Sequence, residues 1–207
     1  MKIKTIIVAL MMFVCSGVWA QEINVEQEFQ SELKKKNEQV TSIKCDFTQT
    51  REVSFLANPV TKDGEFYFIK PNDMLLSFDD GDYIKMTGEW FEMKTAGHVT
   101  ATKVASNPML KNLNSILSAC VIGDFDKMSR GFTVSYEQSA TQWTIMLTPQ
   151  RGKAAAKISR IVIVFDKSDM SLDLLKMEEK SGDYTAYGFS NKQFNIAIDT
   201  QMFNVTK

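Results

Sequence analysis

Apolar and polar residues alternate along most of this chain, and a period of two predicts β-strands. The first run places Ile43, Cys45 and Phe47 on one face, with charged or polar residues between them. Short segments rich in Pro, Asn, Asp and Gly separate the later runs, which is typical of an antiparallel meander. The pattern predicts eleven or twelve strands: one from residue 43, then 64–70, 74–78, 83–86, 90–93, 98–104, 132–136, 142–148, 158–166, 171–178, 183–189 and 194–198.

Two segments have helical spacing instead. Residues 23–40 place Val25, Phe29 and Leu33 on one stripe, with acidic residues early and lysines late, as the helix dipole favours. A sheet of this many strands is expected to curl, and its concave face then needs a cover. We predict that the two helical segments form this cover. The second begins at Asn107-Pro108, and its apolar face comprises Met109, Leu110, Leu113, Ile116, Leu117 and Cys120.

Residues 1–20 have the pattern of a secretory signal peptide. Lys2 and Lys4 precede an apolar run, and Val-Trp-Ala at 18–20 offers a cleavage site. The run is shorter than the ~20 residues of a membrane-spanning helix. We therefore expect export, and a single soluble domain over residues 21–207 once the signal is removed.

The three cysteines leave alternatives open. Acylation at Cys15 would make the N-terminus a lipoprotein signal, but Val14 is a poor residue before such a cysteine. Cys45 and Cys120 remain in the mature chain, where an exported protein can form a disulfide. Each also lies among apolar neighbours, so the interpretation as two small core residues is favoured.

The composition excludes several classes of function. There are 24 Lys and Arg against 25 Asp and Glu, so the chain lacks the basic excess of a nucleic-acid-binding protein. The single His argues against a His-built metal site or a Ser-His-Asp triad. No hydrolase, zinc or phosphate-loop motif occurs, and the acidic residues 79–82 resemble a hairpin turn more than a calcium site. We expect a binding protein rather than an enzyme, with no catalytic residue, metal or cofactor.

Strand alternation also indicates which residues face inward. Glu65, Glu92 and Arg160 are expected to point outward, which leaves their neighbours on the concave face. The mature chain holds 13 Phe and nine Met, which suit either a filled core or a lining that repacks around an apolar ligand. The candidates for such a lining are Phe47, Phe66, Phe68, Met74, Leu76, Phe91, Met93, Leu113, Leu117, Ile145, Leu147, Ile161 and Ile163.

Five short motifs occur in a particular order after the first helical segment. The motifs are SIKCDFTQ at 42–49, GEFYFIKP at 64–71, GEWF at 88–91, LTP at 147–149 and MF at 202–203. Together their order and spacing resemble the LolA family, the periplasmic carriers of outer-membrane lipoproteins. The likeness covers roughly residues 23–205 and is densest over 40–95.

The resemblance implies a mainly β protein with α: a curled, unclosed antiparallel β-barrel with helices as a lid over an apolar cavity. It implies that the cavity binds acyl chains of lipoproteins, taken from an inner-membrane lipoprotein-releasing transporter and delivered to an outer-membrane acceptor. It also implies a periplasmic monomer.

The sequence departs from the family pattern at the lid. The family usually has an inward-facing Arg before the motif proline, where it hydrogen-bonds the lid shut, and this chain has Lys70 there. Lysine lacks the planar fork of arginine, so Lys70 is a candidate for a weaker form of lid gating. Met74 and Leu76 stand where the family has aromatic, lipid-facing residues.

Three hypotheses follow for function. The first is the lipoprotein carrier. The second is an envelope regulator on the same fold that senses lipid or stress. The third is an envelope hydrolase, for which the sequence offers no cluster of carboxylates.

Overall fold

The structure is a computed structural model that describes residues 24–106, 116, 118–120, 125 and 131–206. Most of these residues belong to strands. In chain order the elements are α1 (Val25–Asn37), β1 (Ser42–Glu52), β2 (Val60–Ile69), β3 (Asp73–Phe78), β4 (Tyr83–Met86), β5 (Trp90–Thr95), β6 (His98–Lys103), the 3₁₀ turn η1 (Val104–Ser106), β7 (Phe132–Gln138), β8 (Gln142–Pro149), α2 (Gly152–Lys157), β9 (Ile158–Asp166), β10 (Leu172–Glu179), β11 (Tyr184–Phe194) and η2 (Thr200–Phe203).

The 11 strands of the described residues form one antiparallel sheet in the order β6-β5-β4-β3-β2-β1-β11-β10-β9-β8-β7. Strands that are adjacent in the sheet are also consecutive in sequence, except at the centre. There β1 pairs with β11 and joins the two halves of the chain. The edges β6 and β7 do not pair with each other in the described part of the chain, so the sheet is not closed. The predicted fold class, a curled and unclosed antiparallel sheet with few helices, is confirmed.

The C-terminal end of the sheet differs from the predicted strands. A separate strand at 194–198 was expected, but β11 continues to Phe194 and the chain then leaves the sheet. Asn195 has a positive φ of 58°, and its side chain accepts a hydrogen bond from the Thr41 amide (2.8 Å) and donates one to the Gln39 carbonyl (3.0 Å). Phe203 of the MF motif is buried and lies in η2, not in a strand.

Helix α1 is shorter than the predicted 23–40. Asn24 caps its first turn by accepting a hydrogen bond from the Glu26 amide (3.1 Å), and the helix ends at Asn37. The stripe read from the sequence packs inward, since Phe29 and Leu33 are fully buried. In the second predicted helix, residues 116 and 118–120 are helical.

Two apolar cores occupy the concave face. The α1 core lies under α1 on β7–β10, and the β1–β4 core lies on the other half of the sheet. Phe189 of the central strand β11 packs against both. The buried members of the α1 core include Phe29, Leu33, Ile116, Cys120, Phe125, Trp143, Ile145, Leu147, Ile161, Ile163 and Phe165, and those of the β1–β4 core are Cys45, Phe47, Phe66, Phe68, Met74, Leu76, Phe78, Met86 and Val104.

The C-terminal strap, residues 199–206, crosses the outer face of the sheet and covers a charged pair. Lys85 Nζ lies 3.1 Å from Glu92 Oε1 and donates a hydrogen bond to the Asn204 carbonyl (2.6 Å), while the Thr206 amide donates to Glu92 Oε2 (2.5 Å). Glu92 lies on the face opposite the core, as alternation predicts. On this outer face it is nevertheless shielded from solvent, because the strap leaves it 0% exposed.

The predicted signal peptide lies outside the described residues and stays a prediction. Within the described ranges, no helix has the length and apolar character needed to cross a bilayer.

Candidate functional site

Two small cavities lie between the two cores. The first has a volume of about 70 Å³ and is bounded by β2–β4 on one side and by β10 and β11 on the other. Its walls are almost entirely apolar; the one hydroxyl among them, on Tyr187, accepts a hydrogen bond from Gln49 Nε2 (2.7 Å). The lining residues are Phe66, Met74, Leu76, Ile84, Met86, Cys120, Leu172, Leu175, Tyr187 and Phe189.

The second cavity, of about 40 Å³, adjoins the first and lies at the C-terminal end of α1. The two share four wall residues, Phe66, Cys120, Leu172 and Phe189. Unlike the first, it has an apolar end and a polar end. The polar end is formed by Lys36, Asn37, Asp169, Ser171 and Lys192.

Most polar groups at this end bind one another. Lys192 Nζ donates a hydrogen bond to Ser171 Oγ (2.8 Å) and forms an ion pair with Asp173. The Ser171 amide donates to Asp169 Oδ1 (2.9 Å). The Asn37 carboxamide differs, because its buried Nδ2 has no hydrogen-bond partner among the described residues.

The two buried cysteines both face the second cavity as free thiols, so they form no disulfide in this structure. Burial raises the pKa of the Cys45 thiol, and likewise that of Cys120, to about 12. Both thiols are therefore protonated at neutral pH and act as small apolar wall groups.

The cavities are small compared with an acyl chain. A cavity of about 150 Å³ holds one benzene molecule, so neither space accommodates a long hydrocarbon chain in this conformation. Several wall residues are methionines and leucines, and the unbranched, flexible Met74 and Met86 can change rotamer at low cost. Binding of a chain therefore requires the lining and its helical cover to move apart.

Helix α1 covers one side of this region through an aromatic cluster. The Phe29 ring lies 5.2–5.7 Å, centroid to centroid, from the rings of Phe125, Tyr136, Trp143 and Phe165. Ring pairs of this kind stabilise the packing beyond the contribution of the apolar area that they bury.

The candidate gating residue contacts the end of the same helix. Lys70 Nζ donates a hydrogen bond of 3.0 Å to the Asn37 carbonyl, and the Lys70 amide donates one of 3.0 Å to the Thr41 carbonyl. Lys70 thus ties β2 to the last residue of α1 with a single side-chain bond, where an arginine could supply several.

The structure separates the predicted lining residues into groups. Phe66, Met74 and Leu76 line the first cavity, and Phe47 and Phe68 are buried in the adjacent core. Ile145, Leu147, Ile161 and Ile163 lie in the α1 core and border neither cavity. Phe91 packs against the β1–β4 core, and Met93 is 37% exposed and borders neither cavity. Leu113 and Leu117 lie outside the described residues.

Sequence reasoning missed seven of the ten residues that line the first cavity. Tyr187 and Phe189 alternate on a predicted strand and could have been found from that period. Leu172 and Leu175 do not alternate, because an irregularity in the β9–β10 register between Leu172 and Leu174 shifts the strand faces. The missed residues are Ile84, Met86, Cys120, Leu172, Leu175, Tyr187 and Phe189.

The acidic turn at residues 79–82 forms ion pairs with Lys62. Lys62 Nζ lies 2.6 Å from Asp80 and 3.1 Å from Asp82, and such an ion pair is typical of a solvated hairpin turn. In the described ranges, no group of three or more His, Cys, Asp or Glu side chains is placed to hold a metal ion.

Comparisons with known proteins agree with this architecture. A domain described as an outer membrane lipoprotein-sorting protein domain, from Vibrio parahaemolyticus, has a TM-score of 0.51 at 12% identity over 87% of this chain and 97% of its own. An uncharacterized conserved protein from Thermus thermophilus has a TM-score of 0.53 at 8% identity, over 87% of this chain and 94% of its own. At these identities the likeness shows a shared fold.

The family is shown by a match to a family model, since none of the curated proteins matches the chain. The family model described as outer membrane lipoprotein carrier protein LolA matches residues 38–206, which span most of the sequence and the whole sheet. The chain therefore belongs to the LolA family.

Proposed function

We propose that this protein is a periplasmic carrier that binds the acyl chains of lipoproteins and moves them from the inner to the outer membrane. The observation that carries the proposal is the pair of adjoining cavities, apolar over most of their walls, between the two cores of a LolA-family sheet. The protein requires no covalent chemistry and no cofactor for this role.

The physical need for such a carrier is large. A single chain of ~16 carbons prefers a membrane over water by on the order of 12 kcal/mol, at about 0.8 kcal/mol for each buried CH₂. A lipoprotein with two or three chains therefore does not cross an aqueous compartment unaided. A carrier has to shield the chains and yet release them, and a small cavity that widens on binding meets both requirements.

The proposal includes two partners and a cellular compartment. An inner-membrane lipoprotein-releasing transporter loads the chains, and an outer-membrane acceptor receives them. Residues 1–20 direct export, and residues 21–207 act as one carrier domain in the periplasm.

The direct test is analysis of what the native protein carries. The full chain is expressed with its own signal, purified from the periplasm without detergent, and examined by native mass spectrometry. We expect bound lipoprotein or acyl chains, and uptake of a triacylated peptide from detergent by the emptied protein. An empty protein that takes up no triacylated peptide contradicts the proposal.

Filling the cavities from their shared wall is expected to block uptake. Leu172 borders both cavities and is only half-buried, so Leu172→Trp places a large ring there with limited strain on the fold. We expect affinity for the triacylated peptide to fall at least about tenfold, which corresponds to roughly 1.4 kcal/mol. Fluorescence titration measures the affinity, and thermal unfolding checks the fold.

The matched control is Leu56→Trp. Leu56 is 44% exposed in the loop after β1 and borders neither of the two cavities. This variant should bind as the wild type does. Equal affinities for the two tryptophan variants would place the acyl chain elsewhere.

The hydrogen bond from Lys70 to the Asn37 carbonyl should weaken the binding of acyl ligands and speed their release. It joins the end of β2 to the end of α1 in this conformation, so its loss destabilises this conformation relative to an opened, loaded one. Since a hydrogen bond contributes about 0.5–1.5 kcal/mol, Lys70→Leu should bind acyl peptide about two- to tenfold more tightly and release it more slowly. Stopped-flow transfer to acceptor vesicles measures release. Lys70→Arg should release at the wild-type rate or faster, and identical rates in all three proteins would remove Lys70 from gating.

Depletion in the cell separates the carrier from a sensor on the same fold. We expect lipoproteins to accumulate in the inner membrane, measured by membrane fractionation. Normal sorting with an altered envelope stress response would favour the sensor.

A further inference from the structure

Asn37 has an unusual position at the end of α1. It is the last residue of the helix, only 8% exposed, and it lines the polar end of the second cavity. Its backbone carbonyl accepts the bond from Lys70 (3.0 Å), but its side-chain Nδ2 is buried and has no partner among the described residues.

A buried donor without a partner costs free energy, so it calls for an explanation. The surrounding acceptors do not provide one, because Asp169 accepts from Ser171 and Asp173 pairs with Lys192. The other donors at this end are the ammonium groups of Lys36 and Lys192 and the Ser171 hydroxyl, and the hydroxyl donates to Asp169. Among the described residues, no acceptor at this end bonds to the Asn37 carboxamide nitrogen.

The neighbouring space indicates what kind of acceptor fits. The second cavity shares four apolar or weakly polar wall residues with the almost entirely apolar first cavity: Phe66, Cys120, Leu172 and Phe189. If these walls moved apart, the two spaces would join into one site with an apolar part and a donor at one end. Such a site is complementary to a molecule with a hydrocarbon chain and a terminal acceptor.

We propose that the Asn37 carboxamide is a polar subsite that donates a hydrogen bond to the acyl carbonyl of a ligand whose chain occupies the adjoining apolar cavity. The inference rests on the proposed function and deepens it, since it assigns the position of the ester, amide or carboxylate group. It also places the carbonyl beside the Lys70–Asn37 bond, so that an occupied subsite and the closure of α1 involve the same residue.

The test compares three ligands with the same chain. Methyl palmitate carries an ester carbonyl, palmitic acid a carboxylate, and methyl hexadecyl ether no carbonyl. Each displaces an apolar fluorescent dye from the purified mature protein, and the dye signal gives the affinity. For the wild type we expect the two carbonyl ligands to bind about tenfold more tightly than the ether. Tighter binding of the acid than of the ester identifies a free fatty acid as the source, and the reverse identifies an ester-linked chain.

Two variants test the residue itself. Asn37→Leu removes the donor with little change in size, and Asn37→Asp replaces it with an acceptor that repels a carbonyl. Both should lose the preference for carbonyl ligands and bind the ether as the wild type does. Asn37→Leu should also unfold at a higher temperature without ligand, because it no longer buries an unsatisfied donor. Gln39→Leu is the matched control: it removes an exposed carboxamide just beyond the same helix and should change neither quantity.

The outcomes separate the inference from the function on which it rests. If the wild type binds none of the three ligands, both are overturned. If it binds all three with equal affinity, or if Asn37→Leu keeps the carbonyl preference, the acyl cavity stands and the Asn37 subsite is wrong.

Discussion

Replacing Glu92 with Ala should lower the free energy of unfolding by about 3–5 kcal/mol, because it leaves the Lys85 ammonium buried without its partner. The two side chains are 0% and 9% exposed and lie under the C-terminal strap. The Tyr83 hydroxyl (2.9 Å) and the Thr206 amide also donate to the Glu92 carboxylate, so the strap loses an anchor as well. Denaturant titration with a tryptophan fluorescence readout measures the loss.

The control is an ion pair on the same face that solvent reaches. Lys44 and Glu65 lie 2.7 Å apart, 31% and 45% exposed. Glu65→Ala should cost about 1 kcal/mol or less, since exposed pairs contribute little. Replacing Lys85 and Glu92 together with Met and Leu should recover most of the loss, because no charge is then left buried. A cost for Glu92→Ala no larger than that for Glu65→Ala would contradict this account.

The same site gives a pH dependence with a defined sign. Burial alone would raise the pKa of Glu92, but the hydrogen bonds from Tyr83 and Thr206, together with Lys85, outweigh it and hold the pKa below its usual value. A carboxyl whose pKa is lower in the folded state contributes its full stability above its unfolded pKa of about 4.3, and loses it as the pH falls through the folded value. Acid unfolding curves of Glu92→Gln should therefore show a shallower loss below about pH 4 than those of the wild type.

The second large effect is expected at Gly64. On β2 it stands between Phe47 of β1 and Phe78 of β3, and these two rings meet edge-on across it, with centroids 5.1 Å apart. A Cβ at Gly64 would lie 2.1 Å from the Ser77 carbonyl oxygen and 2.9 Å from the Phe78 Cα, both of which belong to the backbone. Gly64→Ala should cost about 3 kcal/mol through overpacking, and it should widen the ring contact. Thermal unfolding and the aromatic circular dichroism measure both effects.

Gly188 offers the matched control. It lies within β11, and a Cβ added there would meet no atom within 4 Å. Gly188→Ala should be neutral or slightly stabilising, because alanine loses less backbone entropy on folding. Equal destabilisation by the two substitutions would show that strand glycine as such, rather than the close approach at Gly64, sets the cost.

Much of the fold could be predicted because it follows from local pattern. The period of two identified the strands, and the i, i+4, i+8 stripe of α1 identified Phe29 and Leu33, both of which are fully buried. Alternation also gave the inward face of β2 and β3, where Phe66, Met74 and Leu76 line the first cavity. These inferences succeed because a strand or helix fixes which side chains share a face before any tertiary contact forms.

The cavity itself could not be predicted in the same way. Ile145, Leu147, Ile161 and Ile163 have the same alternation as the cavity residues, yet α1 fills the space above them and they form solid core. Leu172 was missed because the irregular β9–β10 register shifts its strand face. Whether an inward apolar residue meets another side chain or an empty space depends on what the opposite element places there.

By itself, the sequence determined an antiparallel sheet with an apolar concave face, its amphipathic first helix and the family motifs. The tertiary structure alone decided that the cavities lie at the join of the two cores, that Glu92 is buried, and that Asn37 lines a cavity while its buried Nδ2 has no partner among the described residues. Periodicity is a property of neighbouring residues, whereas burial and hydrogen-bond satisfaction are set by segments distant in sequence. The C-terminal strap over β4 and β5 and the bond from Lys70 to the end of α1 are contacts of that kind.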